Sequence, residues 1–291
     1  MAKFREFRGA GIDAARRLTP GRDAERLATR VSGAERQDNL RPQLAPTRAV
    51  ILTTQRTGST FLAECLSSHP DIHCAGEILN GQPDSPIPPP RGPFRHFVKF
   101  ARIALRGAWL PAFRLEQFYG RSREGVRCFK AMHNQLARPF VLEYLVNHPE
   151  IRIIELSRQN LLKAHVSTLL MQKRRILQAT GPVAPVWIRV YPAKAIVAMR
   201  KASAHFAFYD ALFALHPRLS VTYESLFDGP SLRTDTAWRI CDFLGVPRHP
   251  MQSGIVKLNP ASLRDMVENY DELAYAVASS EFADLLLTED P

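Results

Sequence analysis

Short apolar runs divided by polar loops set the rhythm of this chain from residue 48 onward. The first, Ala49-Val50-Ile51-Leu52-Thr53-Thr54, carries no charge and is rich in β-branched residues, as a parallel strand buried on both faces requires. It breaks at Gln55-Arg56-Thr57-Gly58-Ser59-Thr60, after which Phe61, Leu62, Cys65 and Leu66 recur at helical spacing and stop before Pro70. Strand, polar glycine loop and helix make one βα unit. Runs at 72–74, 125–131, 151–156 and 219–223 predict further strands, and 139–147, 160–178, 193–215 and 235–244 predict helices. Strands alternating with helices predict an α/β fold, a single three-layer domain with a mainly parallel sheet.

Three stretches depart from this rhythm. Residues 1–47 are Arg-rich and poor in large apolar groups, which predicts a basic N-terminal arm outside the domain at 48–291. Pro83, Pro86, Pro88, Pro89 and Pro90 predict an extended loop over 82–92. Behind it, Phe94, Phe97, Ala101, Ala104, Leu105 and Ala108 recur at helical spacing while Arg95, Lys99, Arg102 and Arg106 fall mostly opposite. That pattern predicts a basic amphipathic helix over 94–113, within an insert at about 82–124. Such a face also allows peripheral contact with an anionic membrane.

Composition narrows the class. Of the 291 residues 45% are hydrophobic and 23% charged, an ordinary globular balance. Cys65, Cys74, Cys128 and Cys241 are scattered without a C-x-x-C pair, which argues against a zinc ribbon or a disulfide-stapled module and suggests a reducing compartment. No apolar run is long enough to span a membrane, and the basic N-terminus lacks the apolar core of a signal peptide, so a cytoplasmic protein is expected. The formal charge of +11 favours a polyanionic partner. No recognition helix or RNA-binding motif accompanies it, so nucleic acid is not the expected partner.

The loop at 55–60 has the makings of an anion cradle. N–H groups in the first turn of a helix lack internal acceptors and carry partial positive charge. Gly58 lets backbone approach a ligand oxygen, Ser59 and Thr60 add hydroxyls, and Arg56 adds a planar fork suited to phosphate or sulfate. An ordinary βα turn with a hydroxyl cap is the plainer reading. The first glycine and the lysine of the G-x-x-x-x-G-K-[ST] loop are both missing, which counts against a small-molecule kinase. Downstream, Arg158 ends a predicted strand, and Ser167 stands nine residues later on the following helix; both can converge on a second anion. Lys130 ends another predicted strand, where α/β folds bind ligands.

The segments Gln55-Arg56-Thr57-Gly58-Ser59-Thr60-Phe61-Leu62, Ser68-His69-Pro70 and Gly76-Glu77-Ile78-Leu79 resemble the 5′-phosphosulfate loop region of sulfotransferases, in the bacterial carbohydrate and glycolipid branch. The resemblance extends through Ser157-Arg158 and Ser167, then Leu219–Leu226, Ala237–Pro247 and Lys257 through Leu273, and runs from about Arg48 to the C-terminus, leaving the insert unmatched. It implies a P-loop nucleoside-triphosphatase-like fold and the donor 3′-phosphoadenosine 5′-phosphosulfate (PAPS). It implies a carbohydrate or glycolipid hydroxyl as acceptor and no metal. Arg56, Thr57, Gly58, Ser59 and Thr60 would then hold the 5′-phosphosulfate, Arg158 and Ser167 the 3′-phosphate, and Lys257 would reach the nucleotide from the C-terminal segment. Arg56 and Lys130 would stabilise the moving sulfuryl group. Glu77 matches the glutamate proposed as general base in trehalose sulfotransferases, with His133 as its rival. A sulfotransferase-like protein that binds nucleotide without catalysis stays open, as does the oligomeric state.

Overall fold

The computed structural model describes residues 46–79, 110–120, 125–136, 140–175, 184–255 and 262–287. All lie in the second of the two units into which the chain divides, Leu44–Pro291. The arm, the proline-rich loop, most of the stretch at 94–113, and Lys257 lie outside the described residues.

The centre of the fold is strand β1 (Thr47–Thr53), whose residues from Ala49 onward are all buried. Its side chains alternate between two cores. Ala49 and Ile51 pack on one side with helix α1 (Ser59–Ser67). Val50 and Leu52 pack on the other with helix α2 (Leu110–Gly120). A strand covered on both faces has no polar side to show, which is why it reads as an unbroken apolar run.

Four strands join it in register, β2 (Ile72–Ala75), β3 (Val126–Met132), β4 (Arg152–Ser157) and β5 (Arg218–Thr222). The sheet order is β2-β3-β1-β4-β5 and every pairing is parallel. The chain leaves β1 through α1 toward β2 on one side and leaves β4 toward β5 on the other. The carboxyl ends of β1 and β4 therefore flank a topological switch point, the place where open α/β sheets bind ligands.

After β3 comes a short helix that the sequence pattern did not predict, α3 (His133–Leu136), and then the expected helix at 139–147, as α4 (Val141–Val146). Phe140, with φ of 69°, turns the chain immediately before α4. Helix α5 (Leu161–Arg174) follows β4 and packs beside α6 (Pro192–Leu212). Strands β6 (Phe227–Asp228) and β7 (Ser231–Leu232) form a small antiparallel ribbon, and α7 (Thr234–Leu244) closes the α1 face through Ala237, Ile240, Cys241 and Leu244. Helices α8 (Leu263–Met266) and α9 (Tyr270–Ala278) pack against α5 and α6 around Leu162, Val166, Met199 and Leu273.

One part of the insert is core. Leu115 and Tyr119 of α2 are buried, and the Tyr119 hydroxyl donates to the Ala49 carbonyl at 2.9 Å. Among the described residues no helix is long and apolar enough to cross a membrane.

Candidate active site

The loop between β1 and α1 is held in an unusual backbone form. Arg56 has φ of 64° and Gly58 φ of 76°. A Cβ on Gly58 would sit 2.8 Å from Leu226 Cδ1 and 3.1 Å from Tyr223 Cδ2, so the loop presses directly on the turn that follows β5. The first helical bond runs from Leu62 N–H to the Gly58 carbonyl at 3.0 Å. Ser59 and Thr60 thus occupy the first turn of α1, where N–H groups have no intrahelical acceptor.

Thr57 faces inward. Its hydroxyl lies 2.5 Å from Thr53 Oγ1 and 3.0 Å from the Thr54 carbonyl, while Thr53 donates to the Leu156 carbonyl at 2.8 Å. Those bonds tie the loop to the seam between β1 and β4. They use the Thr57 hydroxyl for the fold and leave its backbone for a ligand.

The two anion motifs meet in one crevice. Arg56 Nε donates to Ser167 Oγ at 3.0 Å, and Arg158 Nη1 donates to the Arg56 carbonyl at 3.3 Å. Arg158 and Ser167 are each 7% exposed. Burial, then the neighbouring Arg158 charge, pushes the Arg56 guanidinium below its ordinary value, with Tyr223 opposing. Two cations sharing a half-buried space repel, and an anion between them relieves that cost.

Residues that sequence reading did not single out for the site fix Arg158. Its guanidinium lies 4.1 Å from the centre of the Tyr223 ring. The Glu224 carboxylate accepts from the N–H groups of Gln159 and Asn160, both at 3.2 Å, and Asn160 Oδ1 accepts from Lys163 N–H at 2.9 Å. The start of α5 is thereby anchored to the turn after β5.

Across β1, Glu77 follows β2 and is held at both oxygens. Lys130 Nζ lies 3.1 Å from Oε1, and Gln135 Nε2 donates to Oε2 at 2.8 Å. Gln135 is itself oriented, because its Oε1 accepts from Met132 N–H at 3.0 Å. Lys130 Nζ also donates to Thr60 Oγ1 at 3.1 Å. The carboxylate, the ammonium and the loop after β1 are therefore one connected group. Lys130 is 4% exposed although it sits in an apolar strand.

His133, the rival base, is built differently. It is 4% exposed, neither ring nitrogen has a hydrogen-bond partner, and the ring packs against Phe206 and Tyr209 at 4.9 and 4.5 Å between centroids. Burial, with His205 nearby, pulls it down to about 4. His69 of the Ser68-His69-Pro70 segment is structural: Nδ1 accepts from Asp71 N–H at 3.0 Å, so Nε2 donates to the Pro247 carbonyl at 2.9 Å.

The family model described as "Sulfotransferase family" matches residues 48–250, a span that holds Arg56, Glu77, Lys130, Arg158 and Ser167 and ends before Lys257. No curated protein matches the chain. Among solved structures, a sulfotransferase from Alicyclobacillus acidocaldarius is similar at 17% identity, covering 85% of this chain and 98% of that one with a TM-score of 0.43.

Proposed function

The chain belongs to the sulfotransferase family, and from that premise we propose that it moves the sulfuryl group of PAPS to a hydroxyl of a carbohydrate or glycolipid acceptor. The observation that carries this reading is the meeting of Arg56, Arg158 and Ser167 in one crevice at the switch point of the sheet. A nucleotide with anionic groups at both the 3′ and 5′ positions suits two guanidinium groups approached from different elements.

Each residue has a task. Arg158 and Ser167 hold the 3′-phosphate. Arg56, with the first-turn N–H groups at Ser59 and Thr60, holds the 5′-phosphosulfate, and Lys257 is assigned to the nucleotide as well. Arg56 gives up its bond to Ser167 for a ligand oxygen. Glu77 takes the proton from the acceptor hydroxyl, the acceptor oxygen bonds to sulfur, and the bond from sulfur to the 5′-phosphate oxygen breaks. The products are a sulfate ester and adenosine 3′,5′-bisphosphate. Negative charge collects on the leaving phosphate, where Arg56 and the loop meet it; one such donor is worth about 10²–10³ in rate. Lys130 stands between Glu77 and Thr60 and steers the transferring oxygens. Positioning and charge compensation are the main labour in transfers of this kind.

Ligand-linked stability tests the donor assignment. Adenosine 3′,5′-bisphosphate should raise the Tm, whereas ATP with magnesium should raise it weakly or not at all. Equal stabilisation by both would favour a kinase. Transfer of labelled sulfate from PAPS to a lipid and oligosaccharide extract then tests the acceptor class.

A further inference from the structure

A pocket of about 190 Å³ lies between α5 and α6, beside the candidate site. Leu161 and Ala164 of α5 and Met199, Ala202 and Phe206 of α6 supply its apolar lining. Gln55 and Arg158 line it as well, so it adjoins both the residue before Arg56 and the second anion motif. Gly58 faces the other flank of the loop, where Leu226, Tyr223 and Phe227 fill the space. Phe206 also backs onto the His133 ring, and α3, which begins at His133, carries Gln135, the partner of Glu77. The pocket therefore borders the loop, and Phe206 stands between it and the element that carries Gln135.

In-line displacement requires the acceptor to enter opposite the leaving phosphate. On the sulfotransfer reading above, on which this step rests, the donor occupies the Arg56–Arg158 crevice. We infer that the pocket between α5 and α6 is the acceptor subsite, and that it takes an uncharged alcohol with an apolar group beside its hydroxyl-bearing part. The volume equals that of about six waters, the size of a short alkyl chain or one six-membered ring. Thr54, Gln55, Arg158, His165 and Thr168 make one part of the lining polar, whereas Leu161, Ala164, Ala198, Met199, Ala202 and Phe206 return no hydrogen bond to a sugar hydroxyl set against them. An alkyl or aryl glycoside instead leaves its sugar outside and buries its aglycone. His165 is one of those polar groups, and burial lowers its basicity. Within the proposed class, the lining selects the glycolipid-like acceptor over the bare carbohydrate.

Calorimetric titration of n-hexyl β-glucoside, methyl β-glucoside and glucose into protein saturated with adenosine 3′,5′-bisphosphate tests this. The hexyl glycoside should bind at least about 10-fold more tightly than the methyl glycoside, since burying methylenes drives it. Ala202→Leu should abolish that preference without changing bisphosphate affinity, and Phe206→Ala should move the preference from hexyl to octyl chains. Equal binding of the three sugars, no binding by any, or a hexyl preference untouched by both substitutions would overturn the inference. Failure of the bisphosphate itself to bind is a separate outcome. It would sink the sulfotransfer reading, and the subsite with it.

Discussion

Arg56 and Ser167, separated by 111 positions in the chain, are joined by a 3.0 Å hydrogen bond from Nε to Oγ. Arg158 completes the group by donating to the Arg56 carbonyl. The loop after β1 and the helix after β4 are therefore one binding element in space.

Loss of either guanidinium should weaken donor binding more than loss of the serine. A hydrogen bond to a charged group is worth about 1.5–3 kcal/mol, and each arginine adds a second donor and a full charge that the serine hydroxyl lacks. Arg56→Ala and Arg158→Ala should each lower bisphosphate affinity by roughly 10- to 100-fold, and Ser167→Ala by about 10-fold at most. Arg56→Lys should fall between, because an ammonium lacks the planar fork. Titration calorimetry measures the order. Unchanged affinity in both arginine variants would remove the two-motif assignment.

The loop's backbone makes Gly58 the most sensitive position for stability. At φ of 76° any side chain is strained, and a new methyl would meet Leu226 Cδ1 at 2.8 Å. Gly58→Ala should cost about 2 kcal/mol, lowering the Tm by roughly 4–8 °C in a domain of this size. Adding Leu226→Ala should return the steric part and leave the backbone part, a positive coupling readable from a double-mutant cycle. Strictly additive losses would mean that the contact does not decide the cost.

Much of this arrangement was legible from the chain itself. The strands at 49–54, 125–131, 151–156 and 219–223 lie within two residues of Thr47–Thr53, Val126–Met132, Arg152–Ser157 and Arg218–Thr222: β1 and β3, buried almost throughout, leave near-continuous apolar runs, and β4 and β5 keep enough Ile, Leu and Val to show. Arg56, Gly58 and Arg158 stood out because each interrupts such a run at its end. Gln135 did not, since its meaning lies in a bond to Glu77 across 58 positions and nothing local signals it. The short helix α3 was equally hidden, because a single turn leaves no periodic pattern to read. Likewise the pocket beside α6 exists only once two helices pack.

Glu77 and Gln135 should separate under kinetics. Glu77→Gln keeps the shape yet removes the proton acceptor, so turnover should fall by about 10²–10⁴ while bisphosphate affinity holds. Gln135→Leu removes the donor to Oε2 but leaves the carboxylate, so kcat should drop by a smaller factor with donor affinity again unchanged. Gln135→Asn keeps the amide on a shorter stem and should recover part of the loss. A fully active Glu77→Gln enzyme would eliminate this residue as the base and leave Gln135 a purely structural role.

Acid should find the buried His133. Its ordinary value of 6.5 falls to about 4 in the folded protein, where the ring sits between Phe206 and Tyr209 without a hydrogen-bond partner. A depressed value means the unfolded chain takes up a proton that the folded chain refuses. The stability this group contributes is therefore intact above pH 6.5 and is lost as pH falls toward 4. Over the whole window the loss is on the order of 3 kcal/mol. His133→Phe keeps an aromatic ring in an apolar site and has no proton to bind. Its Tm should match the wild type near pH 7.5, and the gap should widen in the variant's favour as the pH is lowered through that window. Parallel Tm-against-pH curves for the two proteins would show that the imidazole is not the group that acid attacks.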